Sequence, residues 1–277
     1  MSSIKFNILP APETLRSEVQ CIRVIEHRGE KEIAIKVFPN GLPGLVFQHD
    51  NGYSALENII TPSHVSRVPT SFVYGPGTEA SIMNYRKGSY ASIQVIFQPY
   101  ALKTLLGLNA AVLTNGYAEL NEFSADDLNL QLMEARNNEK RVTLLMDFLW
   151  AKFNQAQSRD KLVEESLHLI HQNIAFIDVR HLLKHLAISE RQFERRFSQT
   201  VGIAPQAYIR VKRFNEAIRL MKTRQYAKLT DIAHALHFHD QSHFIRDVKA
   251  LSGLTPRDIS QKVENFQDHS GLSYIQR

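Results

Sequence analysis

The spacing of apolar positions changes about a third of the way along the chain. Upstream of about residue 100, short runs rich in Val, Ile and Phe, such as CIRVIEHRG, KEIAIKVFP, GLVFQHD and ASIQVIFQP, are separated by turn formers such as PNGLPG and YGPGTEA. These runs predict strands joined by tight turns. From Ala101 to Gln157 the apolar positions recur every three or four residues, which predicts helices.

A polar segment separates this first part of the chain from the rest. The segment NQAQSRD, residues 154–160, contains one alanine and no other apolar residue, which is typical of a linker. Almost everything beyond it has helical spacing. We therefore predict an N-terminal domain at 1–153, a linker at 154–160, an all-α domain at 161–262 and a C-terminal tail at 263–277.

The helical part contains an internal repeat. A shift of 51 positions places ERQFERRFSQTVGIAPQAY on QSHFIRDVKALSGLTPRDI. The matched pairs are Phe193 with Phe244, Arg195 with Arg246, Gly202 with Gly253, and Pro205 with Pro256. Upstream the shift is 50, because the second copy has one extra residue in its turn. The agreement indicates two copies of one supersecondary unit.

Each copy has the form of a helix, a short turn and a capped second helix. In the first, VRHLLKHL is followed by the turn AI and by Ser189 as N-cap; in the second, TDIAHAL is followed by HFH and by Asp240 as N-cap. Gly202 and Gly253 then end the second helices. Such a unit is a helix-turn-helix, whose second helix can enter the major groove of DNA. His237 occupies a turn position where glycine is expected, which predicts a strained or reshaped turn.

The outward face of each second helix carries side chains that can read base edges. These are Arg191, Glu194 and Arg195 in the first unit, and Gln241, Ser242, His243, Ile245 and Arg246 in the second. Arginine offers a bidentate fork to guanine and glutamine pairs with adenine in the same way. Any one of them is equally explained as a solvated helix charge, and an arginine there can also bind a phosphate or an acidic neighbour.

Charge and composition narrow the class of protein. Residues 160–262 hold 17 Lys and Arg against 11 Asp and Glu, a net charge of +6, whereas the whole chain has +5. A localised basic excess favours a polyanionic partner. The single cysteine, Cys21, excludes an intramolecular disulfide, and no apolar run is long enough to span a bilayer. We expect a cytoplasmic protein without a membrane partner.

The crowd of histidines around the second turn does not predict a metal site. His234 and His237 fall at the end of one helix, His239 in the turn and His243 in the next helix, so their side chains point in different directions. A zinc site needs three or four converging ligands. We expect no metal and no cofactor.

These motifs resemble a known family. LTDIAHALHFHDQSHFIRDVKALSGLTP closely resembles the signature of the AraC/XylS transcription regulators, and SERQFERRFSQTVGIAPQAYIRVKRFNEAIRLM looks like the preceding half of the same domain, over about residues 163–262. The resemblance implies two helix-turn-helix units joined by a long helix, about Pro205 to Thr223, which place two recognition helices in successive major grooves of double-stranded DNA. It also implies activation through RNA polymerase. His237 for glycine and Val248 for phenylalanine depart from the pattern.

In the N-terminal half, PNGLPGLVFQHD is followed by a glycine-rich turn and then by VIFQPYALKTLLG. This pattern resembles sensor-like domains that precede this module in bacterial regulators and are related to cupin-like barrels. The resemblance leaves room for a small-molecule effector in the barrel or beside the helices. Leu145 and Leu149 would be exposed in a monomer if the helices after Ala101 form a homodimer interface, and intradomain packing explains the same stripe. His27, His49 and His64 are isolated and are interpreted as ordinary polar or core histidines.

Together these observations predict an α+β protein. It has a mainly β, cupin-like N-terminal domain with helices and an AraC-type DNA-binding domain of two helix-turn-helix units. We expect a sequence-specific transcription regulator and not an enzyme. The alternatives are a cupin-like metal-dependent enzyme with an attached DNA-binding module, and a DNA-architectural protein without an effector.

Overall fold

The computed structural model describes residues 3–29, 31–49, 52–156, 158–223, 226, 228–262 and 273–276. The strands are β1 Ser3–Pro10, β2 Val19–Gly29, β3 Ile33–Val37, β4 Gly44–His49, β5 Leu56–Ile60, β6 Val65–Ser66, β7 Ser71–Tyr74, β8 Ser81–Tyr85, β9 Gly88–Phe97, β10 Tyr117–Glu119 and β11 Ser273–Gln276. The helices are α1 Ala101–Leu106, α2 Asp126–Glu134, α3 Asn138–Asn154, α4 Lys161–Gln172, α5 Val179–Leu186, α6 Glu190–Val201, α7 Pro205–Thr223, α8 Leu229–Ala235, α9 Gln241–Ser252 and α10 Pro256–Lys262.

The strands form two antiparallel sheets that face one another. One sheet has the order β1-β2-β9-β4-β7-β10 and the other has the order β11-β3-β8-β5-β6. Short connections join β2 to β3, β4 to β5, β6 to β7 and β8 to β9, so each of these strands lies opposite its partner in the other sheet. Val46, Leu56, Phe72, Tyr85 and Tyr90 pack together between the sheets. The prediction of a mainly β N-terminal region is confirmed.

Helices α1–α3 cover the outer face of the six-stranded sheet. Leu145 and Leu149 of α3 are fully buried there, in one core with Val24 of β2 and Phe47 of β4. Of the two explanations that the sequence leaves open for Leu145 and Leu149, the structure shows intradomain packing, because the six-stranded sheet covers this stripe. The region is also not purely helical, since β10 lies within it and pairs with β7.

The helical region is built around α7, a helix of 19 residues that packs against both repeated units. Its first half buries Tyr208 and Ile209 among residues of α4, α5 and α6. Its second half buries Phe214 and Ile218 among residues of α8, α9 and α10. The bounds of α7 coincide with the long helix that the sequence predicts. Its two packing surfaces join the units into one body.

Several contacts join the β region to the helical region within the described residues. Arg159, just before α4, makes an ion pair with the buried carboxylate of Glu18 at 2.7 Å. The end of α6 packs on the 3-10 helix Ala110–Leu113, and the Thr114 hydroxyl donates a hydrogen bond to the Gly202 carbonyl. The loop after β3 contacts α7, where Phe38 lies edge-on to Phe214 at 5.8 Å between ring centroids.

Strand β11 lies against the β region. Strand β11 pairs antiparallel with β3, with Ser273 opposite Val37 and Gln276 opposite Ala34. Part of the C-terminal tail is thus docked, and the remainder, 263–272 and 277, lies outside the described residues. No helix in the described ranges is both long enough and apolar enough to cross a membrane.

Candidate nucleic-acid interface

The recognition helices α6 and α9 begin and end at the residues that the sequence predicts. At the start of α9, Asp240 Oδ1 accepts a hydrogen bond from the backbone N–H of His243 at 2.7 Å. Ser189 holds the corresponding position before α6, although its hydroxyl donates to Gln192 Oε1 and accepts no hydrogen bond from a backbone N–H of α6. Gly202 and Gly253 end the two helices with φ of 95° and 70°. Glycine reaches this left-handed region without steric cost.

The two turns share one backbone conformation. Ala187 in the first unit and His237 in the second occupy equivalent positions and have φ of 49° and 51°. This left-handed conformation costs a residue with a Cβ roughly 1–2 kcal/mol of conformational free energy. The strain predicted at His237 is thus present, and the first unit shares it. The His237 ring also packs on Phe176 at 4.0 Å between centroids, which joins the second turn to the loop before α5.

Helix α6 presents its predicted reading face to solvent. Phe193 and Phe197 are fully buried under it, whereas Arg191, Glu194 and Arg195 are exposed. Within the described part of the chain Arg195 makes no ion pair. Arg196 differs, because its guanidinium is held by Asp160 through bonds of 2.6 and 2.9 Å. Asp160 also caps α4, so this pair fixes α6 against α4.

Helix α9 presents an equivalent face. Phe244 and Val248 are buried, so valine fills the core position where the family pattern has phenylalanine. The exposed face consists of Gln241, Ser242, Ile245 and Arg246, with His243 half-buried at its edge. The Arg246 guanidinium extends over one helical turn and donates to the Ser242 carbonyl at 3.4 Å.

The sequence pattern does not reveal the roles of two ionic residues, Asp247 of α9 and Arg210 of α7. Asp247 accepts from Arg210 of α7 at 3.0 Å and lies 3.7 Å from His243 Nε2. The Asp247 carboxylate thus joins α9 to α7 and also contacts His243, one of the side chains predicted to read bases. An acidic residue four positions after His243 was the available signal, since such pairs face each other on a helix.

Arg213 of α7 contacts both units, the first through backbone carbonyls and the second through an aromatic ring. It donates to the Ile177 carbonyl at 2.9 Å and to the Ile174 carbonyl at 3.3 Å, both in the loop between α4 and α5. Its guanidinium carbon lies 6.0 Å from the ring centroid of Phe238 in the second turn. Burial lowers the pKa of Arg213 from its ordinary value. The spacing between the recognition helices is therefore supported by side chains as well as by α7.

The histidines of the second turn do not converge. His234 and His237 are exposed, and His239 Nδ1 lies 3.0 Å from Asp240 Oδ2. Among the described residues, no group of three or more His, Cys, Asp or Glu side chains is placed to hold a metal ion. In the β region, His27 is buried, His49 Nε2 lies 2.8 Å from Arg141, and His64 is exposed in a turn with Thr61 and Ser63.

A second candidate site lies between the two sheets. It is a cavity of about 200 Å³ with a mainly apolar lining. The apolar lining includes Phe6, Ile25, Ile35, Val37, Phe38, Leu42, Val46, Leu56, Ile59, Phe72 and Met83. The cavity also reaches Pro39 and Asn40, in the loop that contacts α7. It thus extends from the interior of the β region to the loop that contacts the helical region.

Two polar side chains in this cavity are almost fully buried. Arg23 is 8% exposed and Gln48 is 0% exposed. The Gln48 amide donates to the Ser54 hydroxyl at 3.0 Å, and that hydroxyl donates its own proton to the Leu56 carbonyl, which fixes the orientation of the amide. Gln48 Oε1 then accepts no hydrogen bond from any described residue. Burial raises the pKa of the neighbouring Tyr74 to about 12, so its hydroxyl stays protonated.

The geometry defines a protein with two linked helix-turn-helix units, each with an exposed recognition face. Residues 182–262 match a family model described as a helix-turn-helix domain, and residues 7–119 match a domain of unknown function, DUF6597. Residues 182–262 of this chain therefore form a helix-turn-helix domain.

Two curated relatives are similar to part of this chain. A transcriptional activator RhaS from Escherichia coli O139:H28 is 31% identical over 130 residues, which is 47% of this chain and 39% of the relative. RhaS from E. coli K12 strain DH10B is 32% identical over 80 residues, 29% of this chain and 28% of the relative. The chain thus matches about two fifths or less of the length of these relatives.

Solved structures of ToxT from Vibrio cholerae are similar along most of the chain. One is 14% identical with a TM-score of 0.46, and the match covers 94% of this chain and 98% of ToxT. A second, of ToxT bound to (E)-4-(8-methylnaphthalen-1-yl)but-3-enoic acid, is 13% identical with a TM-score of 0.47 and covers 94% and 99%.

Proposed function

We propose that this protein is a sequence-specific DNA-binding transcription regulator and has no catalytic role. The observation that carries the proposal is the pair of recognition helices, α6 and α9, whose outward faces are exposed and carry an arginine at the equivalent position, Arg195 and Arg246. Arginine on such a face is the commonest reader of guanine. The net charge of +6 over residues 160–262 supports binding to a polyanion.

The reading residues take distinct roles in this proposal. Arg195 and Arg246 form bidentate hydrogen bonds to guanine, Gln241 pairs with adenine, and Ile245 contacts a thymine methyl group. Arg191, Glu194, Ser242 and His243 complete the two faces. Helix α7 is about 28 Å long at 1.5 Å per residue, which is close to the roughly 34 Å between successive major grooves on one face of a duplex.

The direction of regulation is part of the same proposal. The relatives that match part of this chain are named transcriptional activators. We propose activation at a promoter through contact with RNA polymerase, in the cytoplasm where that promoter lies. In this proposal each predicted domain has one role: residues 161–262 bind DNA, and residues 1–153 sense an effector.

A selection of random duplexes on the purified full-length chain tests the proposal. We expect enrichment of a site with two short sequence blocks about one helical turn apart, bound at least roughly a thousandfold more tightly than scrambled DNA at the same salt. Equal affinity for all sequences would favour the architectural alternative. No measurable binding to any duplex, with or without effector, would contradict the proposal.

We further propose that the cavity between the sheets binds a small effector with an apolar body and an anionic or hydrogen-bonding head. The apolar lining supports the body of the ligand. A buried guanidinium at Arg23 favours an anion, because charge-assisted hydrogen bonds are strong in a dry site. The free acceptor at Gln48 Oε1 favours a hydroxyl or amino donor on the same ligand.

The fluorescent anion 8-anilinonaphthalene-1-sulfonate serves as a probe of this site. We expect it to bind the full chain, and we expect Arg23→Gln to weaken binding by roughly tenfold or more, because a charged hydrogen-bond partner is lost. Arg23→Lys keeps the charge and should retain most of the affinity. Fluorescence titration, with thermal unfolding as a check on folding, measures both.

Arg28→Gln is the matched control, because Arg28 lies on the same strand but is exposed outside the cavity. We expect it to leave probe affinity unchanged. Equal losses in Arg23→Gln and Arg28→Gln would place the probe on the surface and contradict the cavity as the site.

A further inference from the structure

The C-terminal strand completes the wall of the two-sheet region. β1 is the outermost strand of one sheet, next to β2, and β11 is the outermost strand of the other, next to β3. Because β2 and β3 are joined by a short turn and face each other, β11 lies opposite β1. The cavity reaches this side of the region through Phe6 of β1 and Ile35 and Val37 of β3. The tail therefore closes the edge beside the cavity.

The strand on which the tail docks also contacts the second helix-turn-helix unit. Lys36 of β3 reaches the end of α9, where its Nζ would lie 3.1 Å from a Cβ placed on Gly253. The pKa of Lys36 is lowered by burial and also by the charge of Lys262, so the end of α10 lies near the same strand. An ammonium at the C-terminus of a helix is favoured by the helix dipole.

The loop that follows β3 continues this contact along α7. The Pro39 carbonyl accepts a hydrogen bond from Asn215 Nδ2 at 3.1 Å, and the Asn40 carbonyl accepts one from Lys212 Nζ at 2.9 Å. Both loop residues also line the cavity. β3 and its loop are thus in contact with the cavity, with α7 and with the C-terminal strand.

We propose that β11 is a latch that couples the cavity to the second helix-turn-helix unit. Its pairing with β3 covers the edge beside the cavity, and β3 and its loop in turn contact the end of α9 and the side of α7. Release of the latch opens the cavity and frees the β3 edge together. The pairing itself is independent of the proposed effector site, and only the link to the cavity depends on that site.

A chain that ends at Lys262 tests the latch. All residues of the described hydrophobic cores precede this position, so the truncation removes none of the described core side chains. We expect backbone amides of Ile33–Val37 that face β11 to exchange with solvent roughly tenfold faster or more, because an unpaired edge exposes its N–H groups. Amides of α3 serve as the internal control and should not change. Unchanged exchange in β3 would overturn the latch.

Two proline variants of the full chain make the same test without truncation. Successive residues of an edge strand direct their N–H groups alternately toward and away from the neighbouring strand. Of Tyr274→Pro and Ile275→Pro, one therefore removes a hydrogen bond to β3 and the other does not. We expect faster exchange of β3 amides in one variant only. Equal effects, or none, in the two variants would contradict pairing as the cause.

Probe binding then tests the link to the cavity. Stopped-flow mixing with 8-anilinonaphthalene-1-sulfonate should show association roughly tenfold faster in the truncated chain than in the full chain, because the edge beside the cavity is open. Faster exchange in β3 with unchanged association would overturn the coupling. Failure of the probe to bind either chain would contradict the proposed effector site, whereas the exchange experiment would still decide the latch.

Discussion

Replacing both Arg195 and Arg246 with alanine should abolish most of the preference for the selected DNA site. Each arginine is exposed on its recognition helix, and each loss should weaken specific binding by about 1–3 kcal/mol. The two residues lie on separate units, so their effects should add, giving about 2–6 kcal/mol for the double variant. Titration of the selected site and of scrambled DNA, at one salt concentration, measures the change.

Lysine at the same positions separates base reading from phosphate contact. Arg195→Lys and Arg246→Lys keep the charge but lose the planar fork that matches guanine. We expect them to lose much of the specific affinity and to keep the affinity for scrambled DNA. Arg219→Ala is the matched control, because this exposed arginine of α7 is paired with Glu216 at 2.6 Å and lies on neither face. Losses of equal size on specific and scrambled DNA would contradict direct reading.

The sequence predicts the helix-turn-helix units almost to the residue, because local chemistry sets their boundaries. Asp240 caps α9, Gly202 and Gly253 end the two recognition helices, and Pro205 begins α7. Each of these signals acts within one helical turn. The repeat then supplies two observations of every position, so the exposed and buried faces can be assigned without knowledge of the tertiary fold.

The β region is less predictable, because its contacts join residues that are far apart in sequence. The three-residue strand β10 is too short to show a period, and it exists through pairing with β7. Arg23 and Gln48 lie in nearly continuous apolar strands, where only the sheet order shows which face meets the cavity. From the sequence, the apolar stripe of α3 with Leu145 and Leu149 is explained equally by a dimer interface and by packing within the domain. The structure shows that the stripe packs on the six-stranded sheet.

Replacing Arg159 with alanine should destabilise the protein by about 3 kcal/mol at neutral pH, because it leaves a buried charge without its ionic partner. Glu18 is 1% exposed, and its carboxylate accepts from Arg159 and from the Thr104 hydroxyl. Arg159 precedes α4, so the pair also holds the helical region against the β region. Urea unfolding of the full chain measures the loss. Arg219→Ala, which breaks an exposed pair, should cost at most about 1 kcal/mol.

The pH dependence of the stability cost of Arg159→Ala tests whether the buried Glu18 carboxylate causes that cost. Burial raises the pKa of Glu18, while Thr104 and Arg159 lower it, and the net result lies above the ordinary value of 4.5. The folded state thus binds this proton more tightly than the unfolded state, so the contribution to stability is present below pH 4.5 and is lost as pH rises through the folded pKa.

Loss of Arg159 removes an influence that lowers this pKa, so the cost of Arg159→Ala should be largest at about pH 7.5 and smaller at about pH 5. Adding Glu18→Gln to Arg159→Ala removes the buried charge, and we expect it to restore part of the stability at the higher pH and to abolish the pH dependence. A cost that is the same at both pH values, and unchanged by Glu18→Gln, would mean that Arg159 acts through packing on Tyr100, whose ring centroid lies 5.4 Å from its guanidinium carbon, and not through its charge.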